Sequence, residues 1–163
     1  LTSLTRLLLP PMIARRRGRI LNVASIAGFM PVPRLAAYAA SKAYVLSLTE
    51  ALSEELRGTG VTATALCPGL TDTAMVRGSA LGKPIPAAAI MSAKDVAEAG
   101  CAACLAGETV CVPGVGNRLL TSGAPLLPRG LVRAIGGAMT GGGWSWIANA
   151  MQATGFRGGR SVQ

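Results

Sequence analysis

Arg19-Ile-Leu-Asn-Val-Ala-Ser25 is a short, mainly apolar run that follows Gly18, and Val61-Thr-Ala-Thr-Ala-Leu66 is a second run of the same kind. Short apolar runs bounded by glycines are typical of strands buried on both faces of a parallel sheet. The stretch from Leu35 to Arg57 lies between them, with apolar residues at helical spacing, and Gly58 follows it. A strand, a helix and another strand predict a right-handed crossover and a parallel sheet, which is an α/β fold.

Further elements flank this unit. Residues 2–16 have leucines at helical spacing, and Pro10-Pro11 predicts a kink or a stop there. Ser92, with an acid three residues later, predicts a capped helix that runs to about Gly107. Thr109 to Pro113 is the last predicted strand. The α/β pattern therefore extends to about residue 113.

Beyond Gly116 the pattern weakens. Leu119 to Ile135 predicts a helix in pieces around Pro125 and Pro128, and residues 136–159 contain eight glycines. Trp144 and Trp146 lie in the stretch from Ala134 to Phe156, which carries no charge, so a weak contact with a membrane surface is one interpretation. A poorly packed, glycine-rich C-terminal tail fits the glycines better.

Composition limits the class of protein. The chain has 163 residues, 50% of them apolar, which is enough for one domain with a single core. Arginine, proline or clustered glycine interrupts every apolar run long enough to span a membrane. There is no histidine, so neither a Ser-His-acid hydrolase nor a metal site is expected. The four cysteines are expected to be small core residues in a reducing, cytoplasmic setting.

The charge is unevenly distributed. The net charge is +9, and all seven acids lie between Glu50 and Glu108. The densest basic cluster, Arg15 to Arg19, could attract nucleic acid or an anionic membrane. No aromatic residues interleave with these arginines, as single-strand binders require, so we favour a solvated loop and expect no nucleic-acid partner.

Tyr38-Ala-Ala-Ser-Lys42 carries a phenol and an ammonium on one face of the predicted helix, one turn apart. That spacing alone also fits an ordinary amphipathic helix with a solvated lysine. Its context points to chemistry, because Ser25 ends the preceding strand and Pro68-Gly69 follows the next one. The carboxyl ends of parallel strands are where open α/β sheets bind ligands.

Three motifs in this order resemble the second half of a short-chain dehydrogenase/reductase. They are the run from Gly18 to Ser25, then Tyr38-x-x-x-Lys42, then Pro68-Gly-Leu-Thr-Asp-Thr73. The resemblance is good over residues 1–115 and looser at the Pro-Gly-x-x-Asn run from Pro113 to Asn117. It implies a partial Rossmann-like, doubly wound parallel sheet over residues 1–117. A loosely similar helical extension would occupy 118–139, and the glycine-rich tail, expected to be disordered, 140–163.

The resemblance also implies roles for individual residues. Tyr38 would be the general acid/base, Lys42 its partner and Ser25 the hydroxyl that orients the substrate. The implied ligands of an NAD or NADP cofactor are Tyr38, Lys42, Pro68, Gly69, Thr71 and Thr73. An ammonium near a phenol favours the phenolate, and a neutral hydroxyl can hydrogen-bond an oxygen that gains charge, so the residue types suit these roles.

The chain departs from the family in one respect: no glycine-rich fingerprint follows a first strand. We therefore expect the catalytic half of a longer NAD(P)-dependent enzyme, or a truncated product, inactive by itself. The alternative is a non-catalytic remnant that serves as an interaction module through its basic surface. The small, apolar residues of the long loop predicted from Leu70 to Met91 suggest a small lipophilic carbonyl or alcohol substrate, and the full-length protein is expected to be a homo-oligomer.

Overall fold

The computed structural model describes residues 1–74 and 90–139 of the chain. The middle of the predicted loop from Leu70 to Met91 and the whole predicted tail over 140–163 lie outside the described residues. Two short 3-10 helices lie at Ile26–Phe29 and at Ala124–Leu126. The other elements are, in chain order, α1 (Thr2–Ala14), β1 (Gly18–Val23), α2 (Ala36–Glu55), β2 (Val61–Leu66), α3 (Ala93–Ala106), β3 (Val110–Cys111), α4 (Val115–Gly123) and α5 (Arg129–Met139).

The three strands of the described residues form one parallel sheet in the order β1-β2-β3. The register between β1 and β2 runs from Gly18 opposite Val61 to Val23 opposite Leu66. The α/β class and the parallel sheet predicted from the sequence are therefore confirmed. Both β1 and β2 end at the same edge of the sheet, so the residues that follow them lie side by side.

Helices cover both faces of the sheet, as in a doubly wound fold. Ala65 and Cys67 point to one face, where they pack with Leu46 of α2. Leu66 points to the other face and packs with Val96 of α3. The alternation follows from the two-residue period of a strand. The partial Rossmann-like arrangement is thus present in the described part of the chain.

A buried polar pair fixes α2 against β1. Asn22 Nδ2 donates to Thr49 Oγ1 at 3.0 Å, and Thr49 Oγ1 donates to the Val45 carbonyl at 2.7 Å. Both side chains are buried, so their polar groups need these partners. Leu46 and Thr49 are the most deeply buried residues along the middle of α2, while Val45 is half-buried. The pair sets the rotation of the helix that carries Tyr38 and Lys42.

Helix α1 continues through Pro10 and Pro11, where the sequence predicted a kink or a stop. Proline removes an N–H, so the carbonyls of Arg6 and Leu7 lose their helical donors. Pro10 and Pro11 are exposed, so water can reach the backbone on that side. The helix therefore tolerates two prolines because they lie on its solvent face.

The capped helix predicted after Ser92 is present as α3. Ser92 Oγ accepts from the Asp95 N–H at 3.0 Å, and Gly107 ends the helix with φ of 76°, a left-handed conformation that glycine adopts without a steric penalty. Neither this helix nor any other within residues 1–74 and 90–139 combines the length and apolarity needed to cross a bilayer.

Candidate active site

The chain stays paired beyond the ends of β1 and β2. The Ala24 N–H donates to the Leu66 carbonyl at 2.7 Å, and the Ile26 N–H donates to the Pro68 carbonyl at 3.0 Å. Ser25 lies between these two bonds. The backbone alone therefore brings the predicted serine beside the predicted Pro68-Gly69 turn.

The Ser25 hydroxyl is buried and has local partners. Its oxygen accepts from the Ala27 N–H at 3.2 Å, which caps the 3-10 helix, and it donates to the Pro68 carbonyl at 3.4 Å. The donated bond is at the long end of the range for hydrogen bonds, so it is weak. The O–H can therefore turn towards a better acceptor while the oxygen continues to cap the helix.

Lys42 connects α2 to the end of β1. Its Nζ donates to the Val23 carbonyl at 3.0 Å and lies 5.7 Å from the centroid of the Tyr38 ring. The second distance is within the range of a cation–π contact. An ammonium has three N–H donors, so the bond to Val23 leaves two for other acceptors. The cation is thus fixed between the tyrosine and the strand that leads to Ser25.

Tyr38 lies in the first turn of α2 and is 40% exposed. Its carbonyl accepts from Ser41 Oγ at 2.7 Å, which ties the first turn together. Within the described ranges nothing hydrogen-bonds its phenol hydroxyl. The hydroxyl is therefore available to a ligand at the carboxyl edge of the sheet.

Gly28 lets the 3-10 helix approach α2 closely. A Cβ at this position would lie 2.9 Å from the Lys42 carbonyl oxygen, which no side chain could tolerate without a backbone shift. The 3-10 helix after Ser25 thus packs directly on the turn of α2 that carries Lys42. This contact fixes the serine segment and the lysine segment relative to each other.

The turn after β2, which contains Pro68, Gly69, Thr71 and Thr73, is only partly buried. Thr71 Oγ1 donates to the Gly69 carbonyl at 3.2 Å, so this hydroxyl is engaged with its own turn. The turn also pairs with Met91, whose N–H donates to the Leu70 carbonyl and whose carbonyl accepts from the Asp72 N–H, both at 2.9 Å. These contacts bring Ser25 to Pro68 and Lys42 to Tyr38, and they join Thr71 to Met91.

Asn117 also lies at this edge, although the sequence pattern predicts no role for it. Its side-chain Nδ2 donates to the Pro113 carbonyl at 2.8 Å, and its amide fills the space that a side chain at Gly69 would need. The only signal in the sequence was the Pro-Gly-x-x-Asn run that contains it. The spacing of that run does not show that it meets the turn after β2.

Two cysteines are buried near this edge. Burial raises the pKa of the Cys67 thiol to about 12, with a smaller contribution from the negative charge of Glu50, and burial also raises the pKa of Cys111. Both thiols are therefore protonated at neutral pH, as expected of small core residues. Cys101 is exposed, which corrects that expectation for one of the four. In the part of the chain that the structure describes, no cluster of metal-binding side chains occurs.

Comparison with known proteins identifies the family that this chain resembles. Residues 1–83 match the model of the short chain dehydrogenase family. A ketoacyl reductase (HetN) of Nostoc is 44% identical over 98 residues, which is 60% of this chain and 34% of that protein. The human very-long-chain 3-oxoacyl-CoA reductase is 39% identical over 93 residues, covering 56% of this chain and 30% of that protein. The chain thus spans about a third of the length of these relatives.

Solved structures agree with this. A short chain dehydrogenase from Burkholderia cenocepacia, in complex with NADP, superposes with a TM-score of 0.64 and 27% sequence identity. The match covers 76% of this chain and 49% of that structure. The described fold therefore corresponds to about half of a solved dehydrogenase.

Proposed function

The chain belongs to the short chain dehydrogenase family, and from this premise we propose that it supplies the catalytic half of an NAD(P)-dependent oxidoreductase. The reaction is the reduction of a carbonyl or the oxidation of a secondary alcohol. The observation that carries the proposal is the position of Lys42, whose ammonium lies between the Tyr38 ring and the end of β1 beside Ser25.

Each of the three residues has a distinct task. In the reductive direction Tyr38 donates its phenol proton to the carbonyl oxygen, and in the oxidative direction the phenolate takes the proton of the alcohol. Ser25 donates a hydrogen bond to the same oxygen as negative charge develops on it. Lys42 holds a positive charge beside Tyr38, which stabilises the oxyanion that remains when Tyr38 has donated its proton.

A nicotinamide cofactor, when bound, supplies or accepts the hydride that no side chain can provide. The residues at the carboxyl edge fit such a group. Lys42 retains two N–H donors for ribose hydroxyls, and the Pro68–Thr73 turn is partly exposed with backbone and threonine groups at its surface. We assign Tyr38, Lys42, Pro68, Gly69, Thr71 and Thr73 to the nicotinamide end of NAD or NADP.

The substrate we propose is a lipophilic ketone of the acyl type, or the corresponding alcohol. Two relatives carry the names ketoacyl reductase and 3-oxoacyl-CoA reductase. Between residues 74 and 90 the sequence consists mostly of small and apolar residues. Both observations favour an acyl chain next to the reacting carbonyl.

We also propose that the whole protein is a homo-oligomer. Leu4 and Leu7 of α1 are 60% and 73% exposed, and Tyr44 of α2 is 53% exposed. Thr2 Oγ1 and Tyr44 Oη are 2.6 Å apart, so α1 and α2 meet at this end. Exposed apolar side chains on adjacent helices are typical of a surface that another subunit covers.

The test joins the N-terminal half of the Nostoc ketoacyl reductase to this chain, because the chain corresponds to about half of a solved dehydrogenase. Consumption of NADH and of NADPH is measured with a short 3-ketoacyl thioester. We expect turnover with one of the two cofactors in the chimera and none in the 163-residue chain alone.

The control for this test is a pair of serine variants. Ser25→Ala should lower turnover by ~10²-fold, since it removes one donor to the developing oxyanion. Ser47→Ala changes an exposed serine of α2 and should leave turnover unchanged. A chimera that binds neither cofactor would leave the non-catalytic remnant as the better account. A Ser25→Ala variant as active as the unmodified chimera would contradict the role of Ser25.

A further inference from the structure

Asn117 joins two turns at the carboxyl edge of the sheet. Its side-chain Nδ2 donates to the Pro113 carbonyl at 2.8 Å, and its backbone carbonyl accepts from Thr121 Oγ1 at 3.0 Å. Pro113 is fully buried and Thr121 is buried, so both partners are held by the core. The Asn117 carboxamide is therefore fixed in position within the first turn of α4.

Gly69 packs against this carboxamide. A Cβ at residue 69 would lie 2.5 Å from Asn117 Nδ2 and 2.6 Å from Oδ1, closer than any real contact of a Cβ atom. Gly69 is not among the glycines with positive φ, so its backbone conformation does not demand glycine. The requirement at position 69 comes from the close approach of Asn117.

Met91 takes part in the same contact. Its Sδ lies 3.9 Å from Asn117 Nδ2 and would lie 3.1 Å from a Cβ at Gly114. Its backbone pairs with Leu70 and Asp72 of the turn after β2. Asn117 thus holds that turn directly through Gly69 and indirectly through Met91.

We propose that Asn117 is a positioning residue for the Pro68-Gly69 turn. It holds the turn against α4, so that the backbone of residues 68 and 69 keeps the shape in which it receives the nicotinamide end of the cofactor. This inference rests on the proposed function. Asn117 acts through Gly69 and needs no contact with substrate or cofactor.

The test is a double-mutant cycle between the two residues in the same chimera. Gly69→Ala should weaken NADPH binding by ~10-fold, because the new methyl group displaces the carboxamide from Pro113. Asn117→Ala alone should weaken binding by ~3-fold. The double variant should bind within ~2-fold of Asn117→Ala, because the methyl group then meets no amide; residues in direct contact commonly show coupling of this size.

The matched control is Gly116→Ala in the same turn of α4, where a Cβ would meet nothing within 4 Å. It should bind cofactor like the unmodified protein. A second readout separates positioning from a purely structural role: Asn117→Ala should raise the KM for the cofactor and leave the KM for the ketone unchanged, at a temperature well below unfolding.

The outcomes can be told apart. Multiplicative losses in the double variant, or equal rises in both KM values, overturn the positioning role while the proposed function stands. Absence of NADH and NADPH binding in the unmodified chimera overturns the proposed function, and this inference falls with it.

Discussion

The two edges of the sheet use their cations differently. At the amino edge, Arg16 donates to the Gly58 carbonyl, just after α2 ends, and Arg19 donates to the Leu105 carbonyl near the end of α3, both at 3.1 Å. At the carboxyl edge, Lys42 also donates to a carbonyl, that of Val23, but it lies over Tyr38 as well. Cations at helix C-termini satisfy carbonyls that lack a helical partner.

This difference separates stability from chemistry within one small fold. The basic cluster that could have attracted nucleic acid has three of its guanidinium groups, those of Arg15, Arg16 and Arg19, bonded to backbone carbonyls, which favours the interpretation as a structural, solvated edge. Among residues 1–74 and 90–139, the carboxyl edge keeps a phenol hydroxyl with no hydrogen bond, a weakly held serine hydroxyl and two ammonium donors for other acceptors. Substitutions at the two edges should therefore have effects of different kinds.

The largest effect is expected for Tyr38→Phe. Removal of the proton donor should lower kcat by ~10²–10⁴-fold, which is the usual contribution of general acid catalysis. Tyr44→Phe is the control, since Tyr44 lies on the same helix and its hydroxyl bonds Thr2, away from Lys42 and Ser25. Steady-state kinetics of the two variants in the chimera give the answer. Equal kcat values for Tyr38→Phe and Tyr44→Phe would contradict the assignment of the carboxyl edge to catalysis.

Lys42→Met should have the next largest effect. It keeps an apolar stem and removes the ammonium, so we expect a higher KM for the cofactor and a kcat lower by ~10-fold or more; hydrogen bonds to charged groups contribute about 1.5–3 kcal/mol. Lys94→Met removes an exposed lysine of α3 and serves as the control. A change in thermal stability without a change in either kinetic constant would assign Lys42 to structure, like the arginines.

Arg19→Ala should have a smaller effect, on stability rather than on catalysis. Loss of a cation at a helix C-terminus costs roughly 0.3–1 kcal/mol of folding free energy, and kcat should stay unchanged. Arg6→Ala on the exposed side of α1 is the control and should be neutral. Denaturant unfolding measures both variants. An Arg19→Ala protein that is fully stable but catalytically impaired would contradict the structural assignment of the amino edge.

Thiol chemistry should have the least effect on turnover. At pH 8 the exposed Cys101 should react with iodoacetamide, and Cys67, whose pKa burial raises to about 12, should stay unmodified until the protein unfolds. A thiol whose pKa is raised by folding contributes to the stability of the folded protein below its ordinary pKa of 9.0. That contribution is lost as the pH rises from 9.0 towards about 12. Mass mapping after brief alkylation detects the difference; rapid labelling of Cys67 in folded protein would refute it.

Local pattern was enough to predict much of the fold. The second strand was predicted with its observed bounds, Val61–Leu66, and α2 is three residues shorter overall than the predicted Leu35–Arg57. Apolar runs and helical spacing report burial that depends on near neighbours in the chain. For the same reason the serine, the tyrosine and the lysine could be placed on adjoining elements before any contact was known.

Contacts between distant segments could not be predicted in this way. The carboxamide of Asn117 meets Gly69, and Arg19 meets the end of α3, only because the sheet brings separate turns together. Pro10 and Pro11 stay inside α1 because they face solvent, a property that depends on tertiary packing. The assignment of Ser25, Tyr38 and Lys42 to catalysis stays a prediction.

The most direct measurement follows a deuterium atom. The chimera is given cofactor deuterated at the transferable position of the nicotinamide ring, in each of its two stereochemical forms, with a 3-ketoacyl thioester. The account predicts that one form alone delivers deuterium to the carbinol carbon of the product, and that Tyr38→Phe binds the cofactor but transfers almost none. Unlabelled product from both forms, or transfer by Tyr38→Phe at the rate of the unmodified protein, would contradict it.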